Sequence, residues 1–306
     1  MNDIIKSLRE RAEIKLDDKR VMALARFKSL DEVLNIFDNL PSSCLRDYDG
    51  EDSTWTFGDV PREPSREAYT DKLLKDGDIM DEIMEYIEDY KDKLELEGLS
   101  SLQGNFKSCI RRRRFSDDGA EINIDRALSG EPEFWETLKR DGKQEFINIA
   151  VQISLSWKNG LKSFAKNMAL AYCVCEILEN LGYGVCIDIL SSVHNQVKYD
   201  FMKRTYKLKN FNTSGAESGE LIRIKGSEER VDIRNLACTS LPSLLRKYMF
   251  GIDVAIYDNS SGECKETTQE YLNFCNVDLL IAKQWVNDTQ FENVVQTIKD
   301  IIAKKG

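Results

Sequence analysis

The sequence predicts an α/β fold in which a mostly parallel sheet is flanked by helices and preceded by a mainly helical N-terminal region. Three observations predict it. From about residue 145 onward, strand-like apolar runs alternate with helical segments, the pattern of a parallel sheet covered by helices. The runs that begin at 146 and 184 are almost continuously apolar, as expected of strands buried on both faces. Between them, residues 160–181 are rich in Ala, Leu and Met and predict a crossover helix.

The other elements of this region follow from the same periodicities. The predicted strands are 146–154, 184–190, 197–207, 220–225, 252–257 and 277–282. Gly182 and Gly184 flank Tyr183 and predict a turn from the crossover helix into the next strand. Residues 288–304 carry apolar side chains on one helical face and predict a final helix that covers the sheet.

The first hundred residues are expected to be mostly helical. Apolar residues recur at spacings of three and four in 3–28 and 30–39, and 78–96 predicts an amphipathic helix with an acidic face. Prolines with acidic and small residues make 41–65 an expected irregular surface segment. The predicted division is a helical N-terminal region at 1–110, a connecting segment at 111–144 and an α/β domain at 145–306.

The net charge of the chain limits the classes of partner that it is expected to bind. A net charge of −10 argues against general nucleic-acid binding, which depends on Lys and Arg that neutralise phosphates. The exception is the run Arg111, Arg112, Arg113 and Arg114 beside Phe115, which suits contact with phosphate or with an acidic protein surface. The alternative is a solvated strand or loop whose arginines pair with the acids that follow at 117–121.

Composition also predicts the compartment. No stretch approaches the roughly 20 apolar residues that cross a bilayer, and the charged start lacks the apolar middle of a signal peptide, so we expect a cytoplasmic protein. Five cysteines lie in apolar runs, where we expect buried, reduced thiols: Cys173, Cys175, Cys186, Cys238 and Cys275. Positions two apart face different ways on a helix, so Cys173 and Cys175 do not predict a zinc site.

Polar side chains just past the apolar runs are the candidate functional residues, because open α/β sheets bind ligands beyond the carboxyl ends of their strands. Gln152, Ser154 and Ser156 are spaced by two and point to the same side of an extended chain. The other candidates are Ser191, Ser192 and His194 after the second strand, Asp258 and Asn259 after VAIY, and Thr239 at the start of a later helix. We expect residues 154, 239 and 258 to meet at one rim of the sheet.

This order of residues resembles the von Willebrand factor A domain and its metal-ion-dependent adhesion site, which implies a Rossmann-like sheet over 118–305. The segment DGAEINIDRAL at 118–128 is similar to the acidic lead-in of bacterial A domains found beside AAA+ ATPases, including those of cobaltochelatase and nitric oxide reductase activation proteins. The spacing from Thr239 to Arg246 is similar to that subgroup as well. The whole chain also resembles uncharacterised bacteriophage-encoded proteins.

One position departs from the family's metal site. The resemblance implies an aspartate where this chain has Gln152, and a neutral amide supplies none of the charge that Mg²⁺ draws from carboxylates. The remaining ligands would be Ser154, Ser156, Thr239 and Asp258, so we expect a degenerate, unoccupied site and no cofactor. The alternative is structural, with both serines capping the backbone and Thr239 acting as an ordinary helix N-cap.

These residues favour a non-enzymatic protein interaction module. Its partner would dock on Ser154, Ser156, Trp157, Thr239 and Asp258. The resemblance implies an AAA+ ATPase or another large assembly as partner, or a host protein if the chain is phage-encoded. Two alternatives stay open.

The first alternative is a metal-assisted hydrolase of a phosphate ester, with Asp188 or Asp258 holding the ion and His194 assisting. Neither GxGxxG nor GxxxxGK[ST] occurs in the sequence, so nucleotide use has no support. The second is nucleic-acid binding through the arginine run at 111–114.

Overall fold

The computed structural model describes most of the chain as one set of helices packed on a central sheet. The described residues are 3–16, 20–44, 65–75, 77–99, 110–116, 121–122, 124–130, 135–141, 145–154, 161–194, 215–241, 244–257, 267–282 and 288–305.

The helices among these residues are α1 (Asp3–Arg11), α2 (Leu30–Asp38), α3 (Arg66–Lys75), α4 (Gly77–Leu96), α5 (Ile124–Leu128), α6 (Leu161–Asn180), α7 (Ile233–Cys238), α8 (Phe250–Tyr257), α9 (Gln269–Cys275) and α10 (Asp288–Lys305). The strands are β1 (Glu13–Leu16), β2 (Arg20–Phe27), β3 (Ile110–Ser116), β4 (Glu121–Ile122), β5 (Trp135–Asp141), β6 (Phe146–Gln152), β7 (Gly184–His194), β8 (Gly215–Lys225) and β9 (Leu279–Ile281). A 3₁₀ turn at Ser42–Cys44 and a π-helical segment at Leu244–Met249 complete the description.

The central sheet has six strands in the order β1-β2-β8-β7-β6-β9. Strands β2 and β8, β7 and β6, and β6 and β9 are parallel, whereas β1 and β2, and β7 and β8, are antiparallel. The predicted α/β class with a helix-flanked sheet is therefore confirmed, but the sheet is mixed. A second, antiparallel sheet has the order β3-β5-β4.

The N-terminal part of the chain departs from its prediction. Residues 3–28 were expected to be helical, but the helix ends at Arg11 and β1 and β2 follow. Residues 21–25 are buried on both faces of the sheet, and an apolar run of this kind cannot be assigned to helix or strand by periodicity alone. Because β2 pairs with β8, the predicted N-terminal region and the α/β region share one sheet.

Several other predictions are confirmed. The strands at 146, 184, 220–225 and 277–282, the crossover helix, the amphipathic helix α4 and the final helix all form within a few residues of their predicted bounds. Gly182 has a φ of 96°, the left-handed conformation that the predicted turn needs.

The prediction of a strand at 252–257 is wrong. Almost all of α8 is buried, so its apolar residues form a continuous run that imitates a buried strand. The strand predicted at 197–207 lies outside the described residues.

The central sheet separates two cores. Odd-numbered residues of β6 and β7, such as Val151 and Ile189, join a large core that includes side chains of α4, α6, α8 and α10, and we call this side the α6 face. Even-numbered residues such as Ala150 and Leu190 pack in a smaller core with Tyr271 of α9, on the side we call the α9 face. Whether a residue has an odd or an even position along a strand thus decides on which face of the sheet its side chain packs.

The described cysteines fit the expectation of buried thiols. All six of them, Cys44, Cys173, Cys175, Cys186, Cys238 and Cys275, are buried and free of disulfide bonds. Burial raises the pKa of the Cys173 thiol, the first of the α6 pair, to about 12. Among the described residues, no helix has the length and apolar character to cross a membrane.

Candidate functional site

Four polar side chains meet at the carboxyl ends of β6 and β7, on the α9 face. Gln152 Nε2 lies 2.9 Å from Ser154 Oγ and 3.2 Å from Ser192 Oγ. The Ser192 hydroxyl also lies 2.8 Å from Thr267 Oγ1, and the Ser192 backbone N–H donates to Ser154 Oγ at 3.1 Å. We call these four residues the strand-end cluster. All four are at most 9% exposed.

The strand register brings the cluster together. Gln152 pairs with Leu190 of β7, and the pairing continues one residue further because Ile153 N donates to Leu190 O at 2.9 Å. Gln152, Ser154 and Ser192 occupy even positions, so all three side chains point to the α9 face. The prediction that Gln152 and Ser154 point to the same side is therefore confirmed, and the structure adds Ser192 to them.

The hydrogen bonds of Ser154 explain how the cluster is satisfied. A serine oxygen has two acceptor lone pairs. At Ser154 one accepts from the Gln152 amide and the other from the Ser192 backbone. The Gln152 amide lies between the hydroxyl oxygens of Ser154 and Ser192 and donates to both. A neutral donor therefore occupies the position from which a cation would contact these two oxygens.

A second polar group adjoins the cluster on the same face. The carboxylate of Glu217 accepts from the Thr268 hydroxyl at 2.7 Å and from the Thr268 backbone N–H at 3.2 Å. His194 Nε2 lies 3.6 Å from Glu217 Oε1, and the Thr268 hydroxyl accepts from Tyr271 N as the N-cap of α9. We call His194, Glu217 and Thr268 the Glu217 group.

Sequence reasoning did not find Glu217, Thr267 or Thr268. Two adjacent threonines before QEYLNFC are the signal that was available for Thr267 and Thr268, because hydroxyl residues favour helix N-caps. Glu217 gave no local signal, since only the antiparallel pairing of β8 with β7 places it opposite His194.

Thr239 does not join the strand-end cluster. It is the C-cap of α7, a helix that begins after the N-cap Asp232, so the prediction that Thr239 opens a helix is wrong. Its hydroxyl contacts Leu236 O at 2.7 Å and Met168 Sδ at 2.8 Å. Met168 belongs to the large core on the α6 face. Thr239 therefore packs on the opposite side of the sheet from Gln152.

The remaining predicted site residues lie, entirely or by their side chains, outside the described part of the chain. Ser156, Trp157 and Asp258 lie outside the described residues. Asp258 follows α8 and not the strand that was expected before it. Residues 111–114 are in β3, which pairs antiparallel with β5, and their side chains lie outside the described part of the chain. Their assignment as phosphate-binding or solvated residues stays a prediction.

Asp188 and His194 are too far apart to act on one ion, whereas the alternative in which Asp258 holds the ion stays a prediction. They lie on the same strand, six residues apart, which corresponds to about 20 Å at the rise of an extended chain. The Asp188 carboxylate instead accepts from Arg223 Nε at 2.5 Å and Nη2 at 3.2 Å. Burial raises the pKa of Asp188, and Arg223 opposes this shift. In the part of the chain that the structure describes, no group of three or more His, Cys, Asp or Glu side chains is arranged to hold a metal ion.

The fold and this edge define an α/β protein with a mixed, helix-flanked sheet and a buried hydroxyl–amide cluster at its strand ends. The chain belongs to the family described as Domain of unknown function (DUF7192), whose model matches residues 10–301. That match spans β1 and β2 as well as the later strands, in agreement with the central sheet that β1 and β2 share with β6, β7, β8 and β9. No curated protein matches the chain, and no solved structure does so either.

Proposed function

We propose that the protein is a non-enzymatic interaction module that binds a partner protein at the strand-end face of a von Willebrand factor A-like domain with a degenerate metal site. One observation carries the proposal. The Gln152 amide donates to both Ser154 and Ser192, so the polar side chains of this edge are satisfied by one another. Such a closed cluster keeps the edge rigid, and a rigid edge suits recognition because binding then orders few groups.

The polar groups at and near this edge also support binding over catalysis. The Glu217 carboxylate accepts two hydrogen bonds from Thr268, the N-cap of α9, and so holds the start of that helix against β8. Asp188 is paired with Arg223, about 20 Å along the strand from His194. A metal-assisted hydrolase needs several carboxylates around one ion, and these acids serve separate structural contacts.

The resemblance to bacterial A domains supports an AAA+ ATPase or another large assembly as the partner. The resemblance to phage-encoded proteins supports a host protein. The exposed residues beside the Glu217 group, such as Gln269 on the first turn of α9, are positioned to touch that partner.

Site-specific photo-crosslinking in the native cell tests the location of binding. A photoreactive amino acid at Gln269 should form a covalent adduct with one protein at near-stoichiometric yield. The matched control is Lys304, which is also exposed and lies near the end of α10. Adducts of the same protein at both positions, or at neither, would contradict binding at this edge.

The degenerate metal site has its own test in Gln152→Asp. The substitution removes the amide that bonds Ser154 and Ser192 and places a carboxylate at a position that is 3% exposed. Without added metal it should therefore cost about 3–5 kcal/mol, as other uncompensated buried charges do. Mg²⁺ or Mn²⁺ should restore stability and bind in calorimetry, because the variant offers one carboxylate and neighbouring hydroxyls.

Gln152→Leu is the control, since it removes the same hydrogen bonds without adding a ligand. Its stability should not respond to divalent cations. Saturable, tight Mg²⁺ binding by the unmodified chain would show that the argument from Gln152 is wrong.

A further inference from the structure

Two carboxyl groups are buried together between β8 and α8, on the α6 face. Glu220 is 0% exposed and Asp253, in the first turn of α8, is 2% exposed. Glu220 pairs with Ser191 of β7 on one side and with Ala25 of β2 on the other, so it lies in the interior of the sheet. Acidic residues are almost never fully buried unless something compensates their charge.

The compensating element is a proton. Glu220 Oε1, Glu220 Oε2 and Asp253 Oδ1 accept no hydrogen bond from the described residues. Two ionised carboxylates only accept hydrogen bonds, whereas a proton on one of them lets it donate to the other. The proton therefore turns two repelling groups into a hydrogen-bonded pair that joins a helix to the sheet.

The pKa shifts place that proton on Glu220. Burial raises the pKa of Glu220 well above its ordinary value, and the charge of Asp253 and the hydrogen bond with it raise it further, against a smaller opposing contribution from Ser191. Burial raises the pKa of Asp253 to about 6, while the hydrogen bond from Glu220 lowers it. Asp253 thus ionises first, and Glu220 keeps its proton.

The neighbouring groups do not replace the proton. Described titratable or charged groups on the elements packed around the pair include Tyr257 of α8, Tyr248 and Lys247 of the π-helical segment, Cys44 of the 3₁₀ turn and Arg9 of α1. Burial raises the pKa of Tyr257 well above its ordinary value, and the charge of the carboxyl pair raises it further. The Tyr257 hydroxyl donates to Gly219 O at 2.9 Å. Arg9 Nε donates to the backbone oxygen of Ala255 at 3.0 Å, which attaches α1 to α8.

We propose that Glu220 and Asp253 form a proton-dependent latch, in which one shared proton holds α8 against β8. Loss of that proton leaves two negative charges in the core, and α8 is released together with α1. The latch lies on the face opposite the strand-end cluster and is independent of the proposed binding function.

The direction of the pH dependence follows from the raised pKa values. The folded chain holds protons on this pair that the unfolded chain has lost, so the latch contributes fully below the unfolded values of about 4. The contribution falls as the pH rises through the folded values. For each proton that the folded chain holds and the unfolded chain does not, the folding equilibrium constant falls tenfold when the pH rises by one unit.

Urea unfolding of the full chain between pH 6 and pH 9 tests the latch. In wild type the folding equilibrium constant should fall faster with pH than in Glu220→Gln, with a difference that approaches tenfold per pH unit. Glu85→Gln removes one exposed carboxyl group on α4 and should follow wild type. The buried Asp188, whose pKa is also raised, is present in both wild type and Glu220→Gln. Its contribution to the pH dependence of stability is therefore the same in both and cancels in the comparison.

Hydrogen exchange of wild type provides a second measurement that does not depend on the variant folding. From pH 6 to pH 8, protection of α8 and α1 should fall relative to protection of α6, since base-catalysed exchange accelerates all amides equally. Parallel pH profiles for wild type and Glu220→Gln, or unchanged relative protection of α8, would overturn the proposal. Stabilisation of wild type but not of Glu220→Gln by Ca²⁺ or Mg²⁺ at pH 8 would also overturn it, because a cation would then compensate the pair.

Discussion

Replacing Ser192 with alanine tests whether the strand-end cluster stabilises the fold. The Ser192 hydroxyl is fully buried and contacts Gln152 Nε2 at 3.2 Å and Thr267 Oγ1 at 2.8 Å. Its removal leaves one buried hydroxyl without this partner and takes one of two acceptors from the Gln152 amide. A buried polar group left unsatisfied costs about 1–3 kcal/mol, so we expect the free energy of unfolding to fall by about that amount.

The assay is urea denaturation followed by far-ultraviolet circular dichroism. Ser218→Ala is the matched control, because Ser218 is equally buried on the neighbouring strand and its hydroxyl has no hydrogen-bond partner among the described residues. It should be neutral or slightly stabilising, since it removes a polar group that gains nothing from the fold. Equal losses in the two variants would refute the hydrogen-bonded cluster.

Two further predictions concern the contacts around β8, and each includes a comparison variant. Gly219→Ala would place a methyl group 2.0 Å from the backbone oxygen of Ser191, so we expect a loss of at least about 3 kcal/mol in urea unfolding, because β7 and β8 must separate. Gly226→Ala meets only a flexible side chain and should change stability by no more than about 0.5 kcal/mol. Lys225→Met removes the buried ammonium 2.7 Å from Glu179 and should cost about 3–5 kcal/mol. A second substitution, Glu179→Gln, should recover part of that loss, and no recovery would show that the ion pair is not its cause.

The pattern of apolar residues along the chain correctly predicted the strand at 146–152 and the crossover helix at 161–180. The crossover helix at 161–180 is too long for a strand, and the run at 146–152 is short and contains the β-branched residues Ile147, Ile149 and Val151, which favour a strand. The same reasoning failed at 20–27 and at 250–257, where short segments are buried on nearly all sides and contain no polar face. For such segments, the pairing partners decide between strand and helix.

The candidate site shows the same division. Its first half was readable, because Gln152 and Ser154 sit at a strand end with a spacing of two. Its second half was not, since Gln152 reaches Ser192 across 40 positions and Ser192 reaches Thr267 across 75. The similarity to the metal-ion-dependent adhesion site stays a prediction for Ser156 and Asp258, while Thr239 belongs to the other face.

The sequence by itself determined the α/β class, the buried strands that begin at 146 and 184, and the polar character of the edge where they end, because each of these depends on neighbouring residues. Only the tertiary structure decided that the N-terminal strand β2 joins the same sheet, that the Gln152 amide bonds two serines, and that Glu220 meets Asp253. These contacts depend on strand order and register. Both are set by packing between distant segments, which leaves no mark in the local pattern of either partner.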